Sequence, residues 1–126
     1  MFEKTVKNVT LVYVSSHFEC SLLISEGKKI ADMTNTKLNV INVQQKSEWG
    51  KKFSRELDYM LMISNNLDVQ MLVFFSDNPI KILNDYIERN NVKHLVLEGD
   101  GLKTINSDEQ LYLESKKIEI HLCNNK

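Results

Sequence analysis

Apolar residues occur along the chain in short, nearly continuous runs that are separated by longer stretches with helical spacing. The first run, 9–14, is rich in β-branched residues, as in a strand covered on both faces of a parallel sheet. In the last run, apolar and polar residues alternate, which is typical of a half-exposed strand at a sheet edge. The pattern predicts five strands, near 9–14, 38–43, 69–75, 95–97 and 118–122.

The stretches between these runs predict amphipathic helices, each with apolar residues on one side and charged residues on the other. They cover 18–34, 47–65, 79–90 and, more weakly, 107–115. Strict alternation of strands and helices implies right-handed crossovers and a doubly wound parallel sheet. We therefore expect an α/β fold, a three-layer α/β/α sandwich that occupies 1–126 as a single domain.

Short polar stretches supply the signals for the helix ends. Ser47 and Glu48 suit the start of the second helix. Asn65 and Asn66 suit its end, because asparagine tolerates the left-handed conformation. The strongest signal is 76–79, where Asp or Asn can cap free amides and proline occupies the first turn without losing a hydrogen bond.

Composition and charge narrow the range of partners. The 126 residues include 16 basic and 17 acidic side chains, and a net charge of −1 gives no excess field for binding nucleic acid or an anionic membrane. Cys20 and Cys123 stand far apart, which predicts neither a disulfide framework nor a zinc site and favours a reducing, cytoplasmic location. The charged residues within 1–8 leave no room for the apolar stretch of a secretory signal.

Polar residues and glycines follow three of the predicted strands. In doubly wound sheets, ligands bind beyond the carboxyl ends of the strands, where the winding reverses. At this position, hydroxyl groups, helix amides and an imidazole could bind a phosphate. A carboxylate could accept a hydrogen bond from a ribose hydroxyl or bind a cation. Glycines would let the backbone approach a phosphate closely. The structural alternatives are helix caps and an ordinary loop. The candidate residues are Ser15, Ser16 and His17; Ser76 and Asp77; and Gly99, Asp100 and Gly101.

Catalysis is not predicted. His17 beside Ser15 is the single pair of nucleophile and base at that edge, and no recognisable third residue orients it. His94 and His121 lie in or next to strands and are interpreted as structural, so no metal or other cofactor is predicted. A phosphoreceiver domain would need acidic residues at the ends of the first and third strands, where this chain has serines.

Two parts of the chain resemble a known family. The first comprises 12–16, 22–24, 27–32 and the strand 38–43, and the second is 78–97, a helix, an asparagine turn and a strand that leads into glycine. In these features the chain resembles universal stress protein domains, most closely the version in KdpD osmosensitive potassium sensor kinases, over most of 8–99. The resemblance implies the adenine nucleotide alpha hydrolase-like fold with strand order 3-2-1-4-5, a role in stress or signalling, and often a dimer.

The resemblance also bears on the ligand. ATP-binding members have an acidic residue at the end of the first strand and a loop G-x2-G-x9-G-[ST] after the fourth. Here Ser15 occupies the acidic position, and Gly99 and Gly101 have a different spacing with no later glycine. The chain therefore lacks the ATP-binding glycine motif.

Some KdpD domains bind cyclic di-AMP through S-x-S-x20-F-T-A-x-Y. The same spacing in this chain selects Ser15, His17 and 38–42, which ends at Asn42. The aromatic residues of the motif are replaced, and a nucleobase would lose a stacking partner worth about 1–3 kcal/mol.

Three functions remain open from the residues and the resemblance together. The first is binding of a nucleotide or phosphorylated signal at the edge from Ser15 to His17. The second is a ligand-free interaction or dimerisation module, which would use the edge strand from Ile118 to Leu122 for a homodimer. The third is a cyclic di-AMP-binding regulatory domain of the KdpD type.

Overall fold

A computed structural model describes residues 7–15, 20–50, 55–99 and 118–123 of the chain. Within these segments strands and helices alternate, and a single 3-10 turn, Lys46–Glu48, follows the second strand. The elements are β1 (Val9–Tyr13), α1 (Cys20–Thr34), β2 (Lys37–Gln44), α2 (Arg55–Asn66), β3 (Met71–Phe75), α3 (Pro79–Arg89), β4 (Val92–Glu98) and β5 (Glu119–Cys123). The predicted helix at 107–115 lies outside the described residues.

The five strands form one sheet in the order β3-β2-β1-β4-β5, and every neighbouring pair is parallel. The predicted α/β fold and strand order are confirmed. From β1 the chain winds outward through β2 to β3, and α3 then returns it to the other side of β1 as β4. The winding therefore reverses between β1 and β4, whose carboxyl ends stand side by side.

Helices cover both faces of the sheet, because the strands carry apolar side chains on both sides. Successive residues of β1 point in opposite directions, so that Leu11 packs on the face covered by α3 and Val12 on the face covered by α1 and α2. Both side chains are fully buried. The result is the predicted three-layer sandwich, with one apolar core on each side of the sheet.

α1 packs very closely against the sheet at Gly27, which is buried in the middle of the helix. A β-carbon at this position would lie 3.1 Å from Cδ1 of Leu38 and closer still to Cγ2 of Val12. Glycine is thus required here for close approach of the helix to β1 and β2, and this approach sets how α1 lies against the sheet.

The predicted start of the second helix was wrong, and so was the residue expected in the left-handed conformation after its end. Ser47 and Glu48 belong to the 3-10 turn, and the chain then bends at Gly50, whose φ of +82° is incompatible with a continuous α-helix. At the other end of α2, Asn65 and Asn66 are still helical, and Asp68 adopts the left-handed conformation with φ of 60°. The amide of Asp68 bonds to the carbonyl of Asn65, at 3.0 Å, so the helix closes with a turn two residues further on than predicted.

The helices of the described segments include none with the length and apolar character needed to cross a membrane.

Candidate ligand site at the carboxyl edge of the sheet

The carboxyl ends of β1 and β4 meet at the point where the winding reverses. Ser15 follows β1 and is exposed to solvent. Gly99 follows β4, and its amide donates to the carbonyl of Cys123 at 2.7 Å, which continues the ladder between β4 and β5. Of the predicted site residues, these two therefore lie at the same edge. Ser16, His17, Asp100 and Gly101 are outside the described residues.

Tyr13 and Glu98, the last residues of β1 and β4, add polar groups to this edge. Burial raises the pKa of the Tyr13 phenol, and the nearby Glu98 carboxylate raises it further because it disfavours a second negative charge. Like any tyrosine phenol, it is protonated at neutral pH, and it can donate a hydrogen bond there. Sequence reasoning missed this pair because Tyr13 was counted among the apolar residues of its strand, although both are the final residues of switch-point strands.

Asn42 lies behind the edge and is fully buried on the face covered by α1 and α2. Its side-chain amide donates to the carbonyl of Val14 at 2.7 Å, and its side-chain oxygen accepts from Nε2 of Gln44 at 2.6 Å. Asn42 therefore joins the ends of β1 and β2 through hydrogen bonds within the protein. The partly exposed residue of this group is Gln44, which sits at the end of β2.

Ser76 and Asp77 connect the loops after β2 and β3. The backbone amide of Ser76 donates to the carbonyl of Gln44 at 2.8 Å. The Asp77 carboxylate accepts from the backbone amide of Lys46 at 3.1 Å and is otherwise exposed. The first turn of α3 is capped by Asn78, whose side-chain oxygen accepts from the amide of Lys81 at 3.2 Å.

The edge is thus organised in two parts. Beside β2 and β3, the polar groups hold the protein's own loops, and Asp77 keeps an exposed carboxylate. Beside β1 and β4, an exposed hydroxyl at Ser15, a protonated phenol at Tyr13 and a carboxylate at Glu98 lie where parallel sheets bind ligands. The second part offers both donors and acceptors to a polar ligand.

Among the described residues, two of the cavities that the surface forms lie away from this edge. One, of about 580 Å³, is formed at the amino ends of β2 and β3 and includes Lys28, Asn39 and Tyr86 in its lining. There Asn39 donates its side-chain amide to the Tyr86 hydroxyl at 2.7 Å. The other, of about 930 Å³, lies between α2 and the start of β3. Neither was predicted from the sequence, because no motif marks the amino ends of these strands.

No protein-family model matches the chain, and comparison with curated proteins gave no match either.

Proposed function

We propose that the chain is a binding domain of the universal stress protein kind that takes a nucleotide or related phosphorylated signal at the carboxyl edge, without catalysing a reaction. The observation that supports this most directly is the strand order, which reverses between β1 and β4 with Ser15 exposed at that point. The resemblance of 8–99 to the KdpD version of the family supports a role in cytoplasmic stress or osmotic signalling.

The charges at the edge favour one orientation of such a ligand. Glu98 repels a phosphate but accepts hydrogen bonds from a ribose hydroxyl or from the amino group of a base. The Tyr13 phenol, which remains protonated, can donate to an oxygen of the same ligand. The phosphate is then expected on the other side of the site, towards Ser15 and away from the carboxylate of Glu98.

A screen of candidate ligands by thermal unfolding tests this proposal. ATP, AMP and cyclic di-AMP are each added at increasing concentration to the intact chain. A ligand that binds the folded state alone stabilises it by RT ln(1 + [L]/Kd), about 2.7 kcal/mol at a concentration 100 times its Kd. We expect at least one of these compounds to raise the midpoint of unfolding at micromolar concentration.

A matched pair of variants locates the binding. Ser15→Trp fills the exposed position beside the ends of β1 and β4, whereas Ser25→Trp places the same bulk on the exposed side of α1. The first change should abolish the ligand-dependent shift, and the second should preserve it. A shift that survives in Ser15→Trp would place the ligand elsewhere, for example in the cavity beside Lys28 and Tyr86. No shift with any compound would favour the ligand-free interaction module.

A homodimer is a second candidate, supported by the edge strand β5. Leu122 of this strand is 44% exposed although it is a large apolar residue, and β5 is last in the strand order. Pairing or packing of two such edges would cover it. Sedimentation equilibrium over a range of concentrations should then show a dimer that Leu122→Lys converts to a monomer, and a wild-type chain that sediments as a monomer at every concentration would exclude this candidate.

A further inference from the structure

Two histidines and a glutamate meet on the face of the sheet covered by α1, at the β4–β5 edge. His94 belongs to β4, and Glu119 and His121 are alternate residues of β5, so that their side chains point to the same face. The parallel register places His94 directly opposite Glu119, and His121 is opposite Val96, two positions further along the strand pair. This cluster lies apart from Ser15 and the proposed ligand edge, because His94 is near the amino end of its strand.

The ligand-capable atoms of these side chains converge. Nδ1 of His94 is 3.1 Å from Nε2 of His121 and 3.5 Å from Oε2 of Glu119, and one such atom of each residue lies within 4.8 Å of the others. Ligands bound tetrahedrally to zinc, at about 2.0–2.1 Å, stand roughly 3.3–3.4 Å from one another. Two of the three separations are therefore already close to those of a metal site.

Three atoms that can act as metal ligands meet around Nδ1 of His94. Nδ1 faces an imidazole nitrogen of His121 and a carboxylate oxygen of Glu119, and each of the two ring nitrogens offers a lone pair in the tautomer in which it carries no proton. A bound cation would accept lone pairs from all three atoms at once. The rings are tilted by 41° with centroids 5.3 Å apart, so they are not stacked face to face, and their nitrogen atoms can aim at a common point.

We propose that His94, Glu119 and His121 bind a divalent transition-metal ion. Two imidazoles and one carboxylate form a donor set suited to Zn²⁺ and to neighbouring ions such as Cu²⁺ and Ni²⁺, whereas Mg²⁺ prefers oxygen ligands in an octahedron. Three protein ligands leave a coordination position for water or another ligand.

The ligand residues differ in burial, from a mostly buried His94 to a mostly exposed Glu119, and this difference suits metal binding. The side chain of His94 is 14% exposed, and that of Glu119 is 67% exposed. A metal can therefore reach the site from solvent, with His94 as the fixed inner ligand. Glu119, whose side chain retains rotamer freedom, can close the remaining distance to the ion. The bound metal would tie β5 to β4, and its binding should raise the midpoint of thermal unfolding.

Titration calorimetry of the tag-free chain, after treatment with a chelator, tests the proposal with Zn²⁺ as the probe. We expect one ion per chain and no binding of Mg²⁺. Glu119→Gln and His121→Gln should each weaken Zn²⁺ binding by about 100-fold or more, since loss of even an outer-shell partner typically costs 10- to 100-fold. Glu26→Gln, on α1, and Cys123→Ser, on β5 but outside the cluster, should leave binding unchanged.

Co²⁺ bound in place of Zn²⁺ supplies a spectroscopic readout, since its visible absorption distinguishes four-coordinate from six-coordinate geometry. The two ligand variants carry changes at partly or largely exposed positions, and circular dichroism in the presence of chelator verifies that they fold. The proposal is overturned if the wild-type chain does not bind Zn²⁺, or if Zn²⁺ binding persists undiminished in a folded Glu119→Gln or His121→Gln chain.

Discussion

Replacing Gly27 by alanine should destabilise the fold, although the same change stabilises most helices. In a helix interior, alanine is favoured over glycine by about 1 kcal/mol. Against this, the added methyl group would lie 3.1 Å from Cδ1 of Leu38 and nearer still to Cγ2 of Val12. Carbon atoms attract one another best at about 3.5–4.0 Å, so both separations are repulsive.

The size of the effect follows from how little these neighbours can move. Val12 is fully buried and β-branched, so its side chain has few alternative rotamers, and α1 would have to move away from β1. Overpacking of this kind costs about 1–3 kcal/mol. We take the overpacking cost at the upper end of that range, about 3 kcal/mol, and subtract the gain in helix propensity of about 1 kcal/mol. Gly27→Ala should therefore lower the free energy of unfolding by about 2 kcal/mol.

Urea unfolding followed by circular dichroism measures this change, with Ser25→Ala on the exposed side of the same helix as the control. The control should alter the free energy of unfolding by no more than about 0.5 kcal/mol. The clash with Val12 is isolated by a double-mutant cycle, in which Val12→Ala should offset part of the cost of Gly27→Ala, with a coupling of at least about 0.5 kcal/mol. A Gly27→Ala chain that is more stable than the wild type, or a strictly additive cycle, would refute the close-packing argument.

Two further predictions concern buried polar groups. Asn42→Ala should lower the free energy of unfolding, measured in urea, by about 1–3 kcal/mol, because it removes the hydrogen-bond partner of the Val14 carbonyl and of the Gln44 side-chain amide. The control, Asn65→Ala on the exposed side of α2, should have little effect. An equal effect of the two changes would contradict this role for Asn42. Burial raises the pKa of the Cys20 thiol from 9.0 to about 11, so the unfolded chain releases this proton at a lower pH than the folded chain does. The stability that this difference provides is present below pH 9 and is lost as the pH rises towards 11. Across this range, the midpoint of thermal unfolding should therefore fall more steeply with pH for the wild type than for Cys20→Ala. An equal pH dependence of the two midpoints would refute the raised pKa of Cys20.

The fold was predictable from the sequence because its main signals are local. A strand buried on both faces, such as β1, has to be apolar at nearly every position, and a helix that packs on a sheet has to be apolar at helical spacing. The start of α3 was equally predictable, since Asn78 and Pro79 act on amides within one turn of themselves. The start of α2 was not, because 46–48 form a 3-10 turn and the chain bends at Gly50, where the pattern of apolar residues predicts a continuous helix.

The position of the candidate ligand site could be predicted from the sequence, but only some of the residues that form it could. The alternation of elements places it at the carboxyl ends of the strands, where Ser15 and Gly99 lie. The burial that raises the pKa of the Tyr13 phenol depends on packing against residues distant in the sequence. Its proximity to Glu98 depends on the pairing of β1 with β4, which leaves no trace in the local pattern of either strand.

By itself, the sequence determined the kind of each described strand and α-helix, the parallel sheet and the edge at which its strands end, because hydrophobic periodicity and helix capping act over a few residues. The tertiary structure alone decided which polar side chains meet. His94 and His121 are 27 residues apart and looked like separate structural histidines, yet their ring nitrogens lie 3.1 Å from each other. The reason is that strand register is set by the assembled sheet, and a shift of β5 by one residue would turn Glu119 and His121 to the opposite face.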